Sequence, residues 1–324
     1  MVSLVRARLG ALRFVAPGGV LCSTCAVLLA ATVLAVGACS SDDPPGGSSG
    51  GNDGGLPGED GSLVDSPGEP TQGCGTANAP TGALSAQQVS VGASSSRTFE
   101  LFVPDGHDGK RTFPLVFVFH GDGGTGKNLR SSFKLEAAAN GGAIFVYPDG
   151  ANRTWDVDSK AAANADIKFF DAMVAELSKT YCVDTKKIFA TGFSRGAYFA
   201  NQLGCRRGSV LRGVAAHSGG GPYGANDEYD GNGNLVCPEA PVAAIILHGT
   251  ADNNVAPSEA DDSLKEWRRF DTCKTTNQPY APSPCVAFDG CAAGRPVVSC
   301  RISGLGHQIW PSAPEAIWKF FSAL

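Results

Sequence analysis

The chain lacks any surplus of positive charge: 26 Lys and Arg stand against 31 Asp and Glu, a formal net charge of -5. A surface of that sign repels a phosphate backbone, so nucleic acid is not an expected partner. Histidine is scarce, with five among 324 residues, and none stands beside the 11 cysteines at zinc-like spacing, so no structural metal is expected. No internal repeat is present. Between Ser40 and Gly73 there is no Lys or Arg and almost nothing apolar, and Gly, Pro, Ser and seven acidic residues make up most of the stretch. Such a stretch cannot bury a core and reads as a flexible, self-repelling tether. Gly121 to Lys127 nearly spells a nucleotide-binding P-loop, but residue 128 is Asn, so the hydroxyl that would meet a magnesium ion is missing.

What the N-terminus does have is a basic start, Arg6, Arg8 and Arg13, followed by a nearly continuous apolar run from Val20 to Ala38. The run ends in Val36-Gly37-Ala38-Cys39, which is similar to a bacterial lipobox. That similarity implies removal of residues 1–38, lipidation of Cys39 and a tether over 39–73. Ser40 after the cysteine resembles an outer-membrane address. Loss of residues 1–38 moves the formal charge from -5 to -8. Cys22-Ser-Thr-Cys25 has redox spacing but falls in the segment expected to be removed. The catalytic domain is then expected over 74–324, long enough for one substantial core. Its eight cysteines, an even number in an exported chain, suggest up to four disulfides. Cys285 with Cys291 and Cys273 with Cys300 are the pairs expected for an excursion near the C-terminus.

Lys187 to Ala200 organises the domain. Residues 187–191 suit a strand, Gly192-Phe-Ser-Arg-Gly196 follows, and a helix can start after Ser194. Gly-x-Ser-x-Gly between strand and helix is a nucleophile elbow, in which a tight turn presents the serine hydroxyl. The helix start offers the Arg195 N–H to an oxyanion. The apolar run Leu115–Phe119 delivers His120-Gly-Asp-Gly-Gly-Thr-Gly126, a glycine-rich loop that can aim a second N–H, that of Asp122, at the same oxygen.

The remaining pattern alternates strands with helices. Thr98–Val103, closed by Pro104, reads as an antiparallel edge strand. Buried strands are predicted at 115–119, 143–147, 210–216, 243–247 and 297–302, and helices at 129–139, 166–180, 258–270 and 314–320. That order predicts a mostly parallel sheet with helices on both faces, and a nucleophile elbow on such a sheet resembles that of an α/β-hydrolase. In this fold the acid and base follow the serine in the order Ser, Asp, His. Asp252 follows the strand at 243–247, and His307 lies between the last strand and the last helix. Ser194, Asp252 and His307 are therefore the expected catalytic residues, with Asp149 and Asp261 as weaker alternative acids. His120 is expected to support the oxyanion loop, His248 to shape the acid loop, and His217 to rim the pocket.

His120-Gly121, Tyr147-Pro-Asp-Gly150, Trp155, Tyr181 to Gly196, His248-Gly-Thr-Ala-Asp252, Gly306-His307 and Trp310-Pro311 together resemble secreted α/β-hydrolase esterases of the feruloyl esterase, acetylxylan esterase and polyhydroxybutyrate depolymerase group. The resemblance implies a serine esterase needing no cofactor, acting on feruloyl or acetyl esters of xylan, with a polyester as the alternative substrate. Trp155 and Trp310, with Tyr223, are expected to line the pocket and stack on a ring of the substrate. Arg195 departs from the small polar residue frequent in that group, and Asp122 from the Cys of many depolymerases. A serine peptidase and a non-catalytic surface binder are the competing readings. The first usually needs an extra domain for which this chain has no room. The implied location is the cell envelope through the lipid anchor, or the exterior.

Overall fold

A computed structural model describes residues 70–76, 78–92, 95–224 and 226–324. The apolar run, Cys39 and the tether as far as residue 69 lie outside the described residues, whereas Pro70 to Gly73, expected as its last residues, bond to the folded domain, Thr71 Oγ1–H donating to Tyr181 O at 2.8 Å and Gly73 N–H to Ser178 O at 2.9 Å. In chain order the elements are β1 (Gly82–Val91), β2 (Ser95–Val103), β3 (Phe113–Phe119), α1 (Gly126–Phe133), α2 (Leu135–Ala139) and β4 (Ile144–Pro148). There follow α3 (Ala165–Thr180), β5 (Val183–Phe193), α4 (Arg195–Arg206), β6 (Gly213–His217), and a small pair, β7 (Glu228–Tyr229) and β8 (Leu235–Val236). The chain ends with β9 (Ala243–Gly249), α5 (Pro257–Phe270), β10 (Asn277–Pro279), β11 (Cys285–Phe288), β12 (Val297–Ile302) and α6 (Ala313–Ser322).

Ten strands form one sheet in the order β1-β2-β4-β3-β5-β6-β9-β12-β11-β10. The six from β4 to β12 are mutually parallel, and antiparallel strands close both margins. This is the mostly parallel, two-faced sheet of an α/β-hydrolase. Alternation along single strands shows why both faces are covered. Leu115, Phe117 and Phe119 of β3 pack with α3, α4 and α5 on one side, while Val116 and Val118 pack with α1, α2 and α6 on the other. Burying each such side chain is worth about 1.5 to 3 kcal/mol.

Three expectations are corrected. The strand at 98–103 is not an edge, because β1 pairs with it along its length. The polar sequence of β1 and a register shift between Leu84 and Gln87 break the two-residue period that would have marked it. The helix expected at 129–139 is two helices, separated at Lys134 in the left-handed region (φ 55°). The C-terminal disulfides are Cys273–Cys291 and Cys285–Cys300, exchanged relative to expectation, because β11 and β12 place Cys285 directly opposite Cys300. Cys74–Cys182 and Cys205–Cys237 complete four bridges among the described residues, as suits an exported protein.

Candidate active site

The nucleophile turn is built by close backbone approach. Ser194 links β5 to α4 with φ 57° and ψ -123°, a conformation that costs a non-glycine residue about 1 to 3 kcal/mol. A Cβ on Gly192 would lie 2.4 Å from the Gly196 carbonyl, and one on Gly196 would lie 2.0 Å from Phe119 O, so both positions require glycine. Ser194 N–H donates to His217 O at 2.9 Å, which fixes the turn against β6.

β9 ends at Gly249 and carries Asp252 into the following loop, buried at 3% exposure. Its Oδ1 accepts from the N–H groups of Asn254 (3.0 Å) and Val255 (2.9 Å), and its Oδ2 lies 2.7 Å from His307 Nδ1. Burial works against the ionised carboxyl, but these hydrogen bonds outweigh it and hold Asp252 below the usual aspartate range. An ionised carboxylate only accepts, so His307 Nδ1 carries the proton and Nε2 is left to accept. Nε2 lies 3.0 Å from Ser194 Oγ. The structure thus joins Asp252, His307 and Ser194 in one line.

Asp122 and Arg195, the two expected oxyanion donors, flank the serine. Gly121 approaches Ser194 so closely that a Cβ on it would be 3.1 Å from the serine Cβ. Arg195 opens α4, where helical N–H groups have no partner within the helix.

The other histidines hold loops. His120 Nδ1–H donates to Gly121 O (2.8 Å), and Nε2 accepts from Gly150 N–H (3.0 Å). His248 Nε2–H donates to Val255 O (3.1 Å), shaping the acid loop. His217 does not rim the pocket. It is fully buried, its Nε2 accepts Trp310 N–H at 2.9 Å, and its Nδ1 faces Ser218 Oγ at 3.0 Å. Burial first, then repulsion by His248 and His307, pushes its pKa down to about 3, so the ring stays neutral and keeps accepting. One residue therefore ties the Ser194 backbone to the loop that carries His307.

The expected aromatic pocket is also corrected. Trp155 is 1% exposed, packs against Phe119 and Phe199, and donates Nε1–H to His120 O at 2.8 Å. It belongs to the core. Trp310 is largely buried and edges an adjoining groove of about 520 Å³ with Lys134, Ala138 and Pro311. Tyr223 points to α5, donating to Glu259 Oε2 at 2.8 Å. Asp149 accepts from Gly126 N–H and Thr98 Oγ1, and Asp261 pairs with Arg301, so neither alternative acid bonds His307.

Instead, a groove of about 250 Å³ opens at Gly121, which lies against Ser194, and is lined among others by Asp122, Asn128, Leu129, Phe193 and Ile309. Sequence reading missed Leu129 and Ile309 because each also fits an ordinary core pattern. Phe193 lay inside the elbow motif itself, and its ring stands 4.9 Å from that of His307.

No family model matches the chain. Probable feruloyl esterase C of Aspergillus terreus is 29% identical over 282 residues, covering 81% of this chain and 94% of its own. Feruloyl esterase C of Emericella nidulans is 31% identical over 257 residues, covering 71% of this chain and 85% of its own. Among solved structures, acetyl xylan esterase from Aspergillus awamori covers 74% of this chain and 100% of its own at TM-score 0.59 and 18% identity, a likeness of fold. With the hydrolase fold and this relationship together, the chain belongs to the feruloyl esterase family and is a carboxylic-ester hydrolase.

Proposed function

We propose that the enzyme cleaves hydroxycinnamoyl esters, ferulate first, carried on plant cell-wall polysaccharide, with Ser194 as nucleophile, His307 as base and Asp252 as orienting acid. The observation that carries the mechanism is the relay of 2.7 Å from Asp252 to His307 and 3.0 Å from His307 to Ser194. Ser194 Oγ attacks the ester carbonyl as His307 Nε2 takes its proton, and Asp252 steadies the imidazolium. The carbonyl oxygen, now negative, is met by the N–H groups of Asp122 and Arg195. The C–O bond to the sugar then breaks, and His307 returns the proton to the departing alcohol. Water, deprotonated by His307, attacks the acyl-enzyme and releases the acid with Ser194 restored. The name of the relatives and a groove large enough for one substituted ring support an aromatic acyl group.

A polyester is the second reading, favoured by one observation: the groove at Gly121 and Phe193 shares Ser132 and Ile309 with the larger groove toward Trp310. Hydrolysis of methyl ferulate, acetylated xylan and polyhydroxybutyrate by residues 74–324 with disulfides formed, beside Ser194→Ala, separates the readings. Ferulate release supports the first. Preference for the polymer, with no ferulate released, overturns it. We also read residues 1–38 as a leader, Cys39 as the lipid-bearing residue, 39–73 as a tether and 74–324 as the catalytic domain. Incorporation of labelled palmitate that survives in Cys39→Ala would sink the anchor assignment.

A further inference from the structure

The two oxyanion donors come from separate segments, the loop after β3 and the start of α4, so no continuous backbone sets the distance between them. Their own side chains reach neighbouring residues of a third segment. The Thr154 hydroxyl donates to Asp122 Oδ1, and Arg195 Nε–H donates to the carbonyl of Trp155 at 2.9 Å. The same segment is laced to the loop after β3 and the start of α1 at five more points, one of them Arg153 Nε–H to Gly124 O at 3.3 Å. Gly126 N–H meets Asp149 Oδ1 (2.8 Å), Gly150 N–H meets His120 Nε2 (3.0 Å), Gly123 N–H meets Arg153 O (2.8 Å), and Trp155 Nε1–H meets His120 O (2.8 Å). Asn152 (φ 53°) and Arg153 (φ 63°) hold left-handed backbone without being glycine. Strain of that kind persists only where surrounding contacts over-determine the conformation.

We propose that Thr154 is a positioning residue: the Thr154-Trp155 pair spans the two oxyanion donors, one end on the Asp122 carboxylate and the other on the Arg195 guanidinium, and sets the width of the hole. The proposal rests on the esterase reading above. Thr154 sits at the half-exposed surface of the segment, so its hydroxyl can be removed without opening the core. Displacing a transition-state contact by a fraction of an ångström lowers kcat without weakening ground-state binding, and 1 Å costs about a hundredfold.

Steady-state kinetics on methyl ferulate test this with Thr154→Val, which keeps the shape and removes the donor, and Thr154→Ser, which keeps the donor. We expect kcat to fall about tenfold in the valine variant with KM within about twofold, and the serine variant to recover most of it. Affinity for a boronic acid, which forms a tetrahedral adduct on the serine, should fall in parallel, while affinity for free ferulate stays. Arg195→Met retains its backbone N–H and loses the other end of the span, so it should lower kcat in the same direction. The double variant should be less than additive. An unchanged kcat in Thr154→Val, a raised KM alone, or equal losses in Val and Ser variants would each overturn the proposal. Failure of the esterase reading looks different: wild-type enzyme would escape a fluorophosphonate, and Ser194→Ala would keep its ester hydrolysis.

Discussion

The catalytic edge of the sheet and the margin made by β10 and β11 are held by different forces. Among the described residues no disulfide joins the loops bearing Ser194, Asp252 and His307; hydrogen bonds to backbone and one strained turn fix them. At the margin, β10 is three exposed residues, Asn277–Pro279, and two of the four disulfides lie around it and β11. A strand that short has little apolar area to bury, so covalent bridges stand in for packing. A catalytic loop has a different requirement. Hydrogen bonds carry direction, and direction is what fixes the His307 tautomer.

Substitutions should separate the two regions cleanly. Ser194→Ala is expected to lower kcat by about a millionfold while leaving the urea midpoint nearly unchanged, since alanine keeps the Cβ and with it the same strained turn. Retention of even a hundredth of the activity would locate the chemistry elsewhere. Asp252→Asn should cost about ten-thousandfold, because an amide can present its N–H to His307 and favour the wrong tautomer. A loss confined to KM would contradict that role. At the margin the expectation reverses. Replacing Cys285 and Cys300 together with Ser, a bridge with a sequence separation of 15, should remove about 3 kcal/mol of stability with kcat unchanged at 25 °C. Urea titration beside initial rates would show it, and a fall in kcat would mean the margin reaches the site.

The smallest expected effect, taken per group and per pH unit, is that of pH on the catalytic edge. Burial lowers the pKa of His217 to about 3 and lowers those of His120 and His248 as well. The unfolded chain binds these protons near pH 6.5 and the folded chain does not. Their contribution is therefore complete above pH 6.5 and is lost as pH falls toward the folded values, by up to about 1.4 kcal/mol per pH unit for each group. Urea midpoints at pH 7.5 and pH 5 should differ accordingly. His217→Gln should flatten the slope, and an unaltered slope would remove His217 from the account.

Much of the fold was legible because parallel strands buried on both faces have to be apolar along their length. The runs at Leu115–Phe119 and Ala243–Leu247 admit few other readings. The polar, bulged β1 carried no such mark, nor did the break at Lys134, where neither Gly nor Pro stands. In the site, Ser194, Asp252 and His307 could be read from motif and chain order, and His120 and His248 from the loops they stand in, whereas Phe193, Leu129 and Ile309 could not be told from core residues. Thr154 is an ordinary loop threonine until Asp122 is seen beside it.

The sequence by itself determined the elbow, the chain order of Ser194, Asp252 and His307, and the presence of enough cysteines for four bridges, because each is written in residue type and local spacing. The tertiary structure alone decided that Trp155 is core and His217 an anchor, that Cys285 pairs with Cys300, and that one short segment touches both Asp122 and Arg195. Those depend on which faces and strands meet, and contact between residues distant in the chain is set by the packing of the whole sheet.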